Sequence, residues 1–149
     1  MNDVTVRLMK AADIDAVTAV ENASFLTPWS RAAFEAEISD NDLAHYLVIE
    51  FSNQVVAYAG FWMILDEAHV TNVAVLPQHR QQGLGKVLLA TLLEHAKELG
   101  ANAMTLEVRL SNTIARKMYE QAGFVERGRR RQYYTDTQED ALIMWKDNI

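Results

Sequence analysis

Gly83 and Gly85 stand one residue apart in "HRQQGLGKVLLATLLEHAKELG", at the mouth of a long stretch with helical apolar spacing. Glycine in a helix costs about 1 kcal/mol against alanine. Two in three residues point to a backbone that something approaches closely. The first amides of a helix have no internal acceptor and sit at the positive end of its dipole. The amides of Gln81, Gln82, Gly83, Leu84, Gly85 and Lys86 could therefore wrap an anion, with the side chains of Arg80 and Lys86 adding charge. Spacing excludes two phosphate motifs. A triphosphate loop needs a glycine where Arg80 stands and a Ser or Thr where Val87 stands. A dinucleotide fingerprint needs a third glycine where Leu88 stands.

Acid and base candidates lie downstream. In "AMTLEVRL" the apolar face is Met104, Leu106, Val108 and Leu110, so Glu107 shares the other face with Thr105 and Arg109. If helices cover both faces, this carboxyl is partly buried and its pKa rises toward that of a general base. Otherwise it is a strand carboxylate paired with Arg109. Tyr119 in "NTIARKMYEQAGF" has Ala115, Met118 and Ala122 on its helical side. Its phenol, ordinarily with a pKa near 10, can donate a proton or simply fill a half-buried stripe. Tyr133 and Tyr134 carry the same group. Asn112 can cap the helix that follows it, and so can Ser111. His69 and His79 have no partner at metal-ligand spacing, and no metal is expected.

These residues need a scaffold of alternating elements. Val4–Lys10 reads as a strand with Val4, Val6 and Leu8 inward. A helix follows from an Asp13 cap, with Ile14, Val17 and Val20 on its stripe. After "TPWS", Ser30 caps a short helix carrying Ala33, Phe34 and Ile38. "HYLVIEF" and "QVVAYAGFWMIL" form a hairpin about Ser52-Asn53, and "HVTNVAVL" is a strand that stops at Pro77. The glycine loop leads to a helix from about Leu84 to Leu99, closed by Gly100. "AMTLEVRL", a helix ended by Gly123, and two last strands in "FVERGRRRQYYT" and "DALIMWK" complete the chain. The expectation is one α/β (α+β) domain over residues 1–149, a mixed sheet of about seven strands flanked by about four helices.

Half of the 149 residues are hydrophobic and 23% are charged, as in ordinary globular proteins. No apolar run nears the roughly 20 residues that span a bilayer, and no secretory leader is evident. The absence of cysteine excludes disulfides, thiolate zinc sites and a cysteine nucleophile, and fits a cytoplasmic protein. Of the net charge of −6, residues 1–75 carry −8 and the remainder +2. This split suits a second half that holds an anion and a first half that attracts something basic. An acidic balance argues against nucleic acid.

"NVAVLPQHRQQGLGKVLL" is similar to the acetyl-coenzyme A motif of the GNAT superfamily of N-acetyltransferases. "LEVRLSNTIARKMYEQAGF" resembles that superfamily's later motif of strand, asparagine, and helix with a tyrosine. The resemblance covers most of the chain. "PWS", "LDEA", "MYEQAGF" and "RRRQYYTDTQEDALIM" narrow it to the RimI-like ribosomal-protein-alanine acetyltransferase branch. The resemblance implies a GNAT-like fold with acetyl-CoA as co-substrate. Its pyrophosphate would lie on the turn amides, and its pantetheine arm along the backbone of Val73, Ala74 and Val75 and beside Asn112. It implies Glu107 as base, acting through water, and Tyr119 as the acid that protonates the leaving thiolate. The implied acceptor is a protein with a basic N-terminal segment, headed by an alanine and belonging to the small ribosomal subunit. The acidic segment with Trp29, Glu35, Glu37, Asp40 and Asp42 would steer that peptide or be a solvated helix face. Arg127–Arg131 reads as a solvated strand or a contact to the coenzyme. Acetylation of lysines or of small amines such as polyamines remains open, as does a non-catalytic acetyl-CoA-binding module. No membrane partner is expected, and oligomeric state is left open.

Overall fold

A computed structural model describes residues 4–149. The strands are β1 (Val4–Leu8), β2 (Ala44–Phe51), β3 (Gln54–Ile64), β4 (Glu67–Val75), β5 (Ala103–Arg109), β6 (Val125–Tyr134) and β7 (Glu139–Asp147). The helices are α1 (Ile14–Ser24), α2 (Arg31–Ser39), α3 (Leu84–Glu98) and α4 (Thr113–Gln121). The strands form one sheet in the order β1-β2-β3-β4-β5-β7-β6. Neighbours are antiparallel except β4 and β5, which run parallel. Seven strands and four helices are what the periodicity predicts.

Local chemistry explains most boundaries. Ser30 Oγ accepts from the Ala33 amide at 3.1 Å and starts α2. Ser52 and Asn53 both take positive φ, 51° and 68°, as a two-residue hairpin turn requires. Gly100 and Gly123, at φ 96° and 100°, close α3 and α4.

The strands alternate their side chains between two layers. On β2, Leu47 and Ile49 join the core under α3, with Leu88, Leu92, Met104 and Phe124. Tyr46 and Val48 join the core under α1 and α2, with Val17, Val20, Phe34 and Tyr58. Both sheet faces are therefore covered. No helix among the described residues is long and apolar enough to cross a membrane.

Two expectations at the N-terminal edge are corrected. Leu8 does not point inward but is 57% exposed, because β1 is an edge strand that ends there. Asp13 precedes α1 without capping it by its side chain. Its carboxylate instead accepts two bonds from Arg7 at 2.8 Å and one from the Lys10 amide at 2.7 Å. A charged, bidentate donor outcompetes helix amides. The Arg7 guanidinium holds Asp13 below the usual carboxylate range.

The feature that positions the site is where the sheet opens. β4 and β5 pair only from Glu67↔Ala103 to His69↔Thr105. Beyond that, β4 carries an extra residue, Thr71, between its pairings with Phe61 and Gly60 of β3. The two parallel strands part there, and the β4 edge from Val70 onward faces no strand.

Candidate functional site

A cleft of about 610 Å³ fills the gap between the parted strands. Val70–Val73 of β4 and Leu106–Arg109 of β5 form its sides. Asn112, Tyr119, Trp29 and Glu21 also line it.

The glycine turn lies at the head of α3. Gly83 adopts φ 83°, a conformation disfavoured for residues with a Cβ, although a Cβ there would meet nothing within 4 Å. A Cβ on Gly85 would stand 3.1 Å from Met118 Sδ on α4. The protein's own backbone and helix packing thus account for both glycines. What remains open is the row of amides. None of the six from Gln81 to Lys86 donates to an acceptor among the described residues, and the first bond into α3 runs from the Val87 amide to the Gly83 carbonyl at 3.1 Å. Arg80 is engaged otherwise: its Nε donates to the Val75 carbonyl at 2.8 Å and its Nη2 to Ser24 at 3.2 Å. It braces the end of β4 rather than the turn. Lys86 borders an apolar groove between α3 and α4.

Glu107 is placed in the cleft, its side chain 29% exposed. Its ion-pair partner is Arg130 of β6, not Arg109. Arg109 bonds Asp136 at 2.7 and 2.9 Å and lies 4.1 Å over the Tyr134 ring. The β6–β7 hairpin packs along β5, so it reaches both residues, which strand periodicity does not reveal. Burial and the nearby Glu107 carboxylate push the Tyr133 hydroxyl up.

Tyr119 is buried, edge-on to Phe124 at 5.8 Å. Burial raises its pKa above the ordinary tyrosine value, so it stays protonated at neutral pH. Its hydroxyl has no hydrogen-bond partner among the described residues. Tyr134 is likewise pushed up, to about 12, by burial. Asn112 Oδ1 accepts from the Ala115 amide at 3.2 Å and caps α4, while its residue also lines the cleft. The residue that caps the helix therefore also borders the gap.

Sequence reasoning missed a second polar group. Glu21 of α1, Tyr58 of β3 and Asn72 of β4 form a hydrogen-bonded set, of which Glu21 and Asn72 line the cleft. Its signal was an acid at the stripe position one turn after Val17. Sequence reasoning also placed Glu37 in a segment that either steers a basic peptide or is a solvated helix face. In the fold its Oε1 accepts from Tyr46 at 2.6 Å and from Trp62 Nε1 at 2.7 Å, which fixes the Trp62 ring beside the cleft. His69, read as an ordinary polar residue, lines the cleft and meets Glu67 at 3.2 Å.

Residues 14–124 match the acetyltransferase (GNAT) family. The chain belongs to that family. This GNAT chain is 44% identical to a Bacillus subtilis protein provisionally named a ribosomal protein bS18-alanine N-acetyltransferase, over 94% of this chain and 93% of the relative. The crystal structure of the ribosomal-protein-S18-alanine N-acetyltransferase from Escherichia coli superimposes with a TM-score of 0.89 at 33% identity, covering 97% of this chain and 94% of that one. A Salmonella typhimurium structure described with its cofactor acetyl-CoA shares the fold, with a TM-score of 0.84 at 23% identity over 99% and 95% of the two chains. The acetyltransferase described here thus has the GNAT architecture throughout. Its donor set suits acetyl-CoA: six unpartnered amides at a helix N-terminus for a pyrophosphate, and an unpaired β4 edge for an arm that carries amides of its own.

Proposed function

We propose that the enzyme transfers the acetyl group of acetyl-CoA to the free α-amine of a protein N-terminus, and that the acceptor is the N-terminal alanine of a small-subunit ribosomal protein. The parting of β4 and β5 beside the free amides of the α3 turn carries the reading. It leaves a place for an extended, amide-bearing donor and a cleft that ends on acid and base candidates. The acceptor follows from the relatives' reaction.

Gln81, Gln82, Gly83, Leu84, Gly85 and Lys86 hold the pyrophosphate by their amides, and Val73, Ala74, Val75 and Asn112 line the pantetheine arm. Arg80 already engages the Val75 carbonyl, so Val73 and the Val75 amide carry most of the free edge, Ala74 turning its polar groups to β3. Acetyl-CoA supplies the reactive thioester. Glu107 takes the ammonium proton through water, which frees the nitrogen lone pair to attack the thioester carbonyl. As the carbon–sulfur bond breaks, Tyr119 gives its proton to the leaving sulfur; the nitrogen's second proton passes to solvent, and solvent reprotonates Tyr119. An α-amine has a pKa near 8 against about 10.4 for lysine, so a carboxylate base deprotonates it more readily near neutrality.

Thiol release from acetyl-CoA, measured over a panel of acceptors, tests the reading. A basic alanine-headed peptide is expected to turn over fastest, and blocking its N-terminus to abolish turnover. Faster acetylation of spermidine, or of lysines in the blocked peptide, would reject this acceptor. Binding of acetyl-CoA with no turnover of any acceptor would leave a non-catalytic module.

A further inference from the structure

Two acids line the cleft, and proton transfer uses only Glu107. Glu21, in the last turn of α1, is 2% exposed. Its Oε2 accepts from the Trp29 amide at 2.8 Å, and its Oε1 accepts from the Tyr58 hydroxyl. The Tyr58 oxygen in turn accepts from Asn72 Nδ2 at 2.9 Å. No cation bonds Glu21 among the described residues, and burial holds its pKa above the ordinary carboxylate value. A buried acid without a counter-ion is costly to keep. Here it joins α1, β3, β4 and the loop between α1 and α2. The Trp29 ring stands 5.4 Å from Phe34, whose ring meets Tyr58 edge-on at 5.5 Å. The loop is thus pinned by one carboxylate and backed by an aromatic layer.

We propose that Glu21 is the positioning residue of the acceptor wall. By holding the Trp29 amide against Tyr58 and Asn72, it fixes residues 25–30 and sets the size limit on the acceptor's first residue. The proposal rests on the acceptor reading above for its substrate, but not for its geometry.

Glu21→Ala removes both acceptors. Glu21→Gln keeps the Trp29 bond through its amide oxygen, because the Tyr58 hydroxyl can turn from donor to acceptor for the new NH2. In Glu21→Ala, kcat/KM for an alanine-headed peptide should fall at least about tenfold, chiefly through KM, while acetyl-CoA Kd stays within about twofold. The preference for alanine over leucine at the first position should narrow at least about threefold, and Glu21→Gln should stay within about threefold of the parent throughout. Hydrogen exchange at the Trp29 amide, followed by NMR without any acceptor, should speed up at least about tenfold in Glu21→Ala and not in Glu21→Gln. If Glu21→Ala does not fold, Glu21→Asp, one methylene too short to reach both partners, takes its place with the same expectations. The parent enzyme on the same peptides tests the acceptor reading by itself. Equal damage in Glu21→Gln and Glu21→Ala would overturn the proposal. So would unchanged exchange at Trp29, or loss of acetyl-CoA affinity in step with KM.

Discussion

Glu107 and Tyr119 meet opposite electrostatic surroundings in one cleft. Tyr119 is buried with no charged hydrogen-bond partner among the described residues, which keeps its hydroxyl protonated and suits the acid role proposed for it. Glu107 is reached by the Arg130 guanidinium on one side and stays open to the cleft on the other. Arg130 is more than half exposed, so its pairing is weak and an incoming ammonium can compete for the carboxylate. Glu107→Gln should lower kcat by about 10²–10⁴-fold while leaving acetyl-CoA Kd close to the parent's. The deficit should shrink as pH rises through about 8, because the α-amine then loses its proton to solvent. Steady-state rates from about pH 6 to 10 check this. A variant with near-parental kcat and the same profile would make Glu107 structural.

At the scale of elements, the turn before α3 is where donor binding is proposed. The strained position is Gly83 rather than Gly85, since only Gly83 takes positive φ. A side chain in that left-handed conformation costs about 1–2 kcal/mol, and valine, being β-branched, should rebuild the turn. Gly83→Val should therefore weaken acetyl-CoA binding at least tenfold, about 1.4 kcal/mol, in a protein that still folds. Calorimetry showing unchanged affinity would remove the amides from the donor site. Caps, hairpin and helix ends were legible in the sequence because each depends on a few neighbouring residues: Ser30 and Ala33, Ser52 and Asn53, Gly100, Gly123. Leu8 and Asp13 misled because each depends on its place at the sheet edge, which the local pattern does not show. An edge strand exposes Leu8, and Arg7 on that strand takes Asp13 from its helix; for Glu107, β6 supplies the ion-pair partner, a role the alternative reading gives to Arg109. Glu21 was visible as an acid on an apolar stripe, but its partners on β3 and β4 are 37 and 51 residues away.

Over the whole molecule, the charge split remains while its local meaning changes. Asp13 and Glu50 share Arg7, Asp15 and Glu35 share Arg31, and Glu21 and Glu37 are taken up in hydrogen-bond networks. On the proposed acceptor, the first half would attract a basic peptide through a diffuse field rather than through a row of free carboxylates. Between about 0.05 and 0.5 M salt, kcat/KM for a basic alanine-headed peptide should fall about three- to tenfold, and that for an uncharged one less than about twofold. Equal salt responses in the two peptides would exclude steering. The six unpartnered amides before and within the first turn of α3 have a different reach. An amide belongs to every residue but proline, so the donor half of this site tolerates changes of side chain at Gln81, Gln82, Leu84 and Lys86 while its chemistry persists. The acceptor half, as proposed, is written in side chains, in Glu21, Trp29 and Trp62. Descent with variation can therefore recut the acceptor wall for new amines while the same activated acetyl donor is retained.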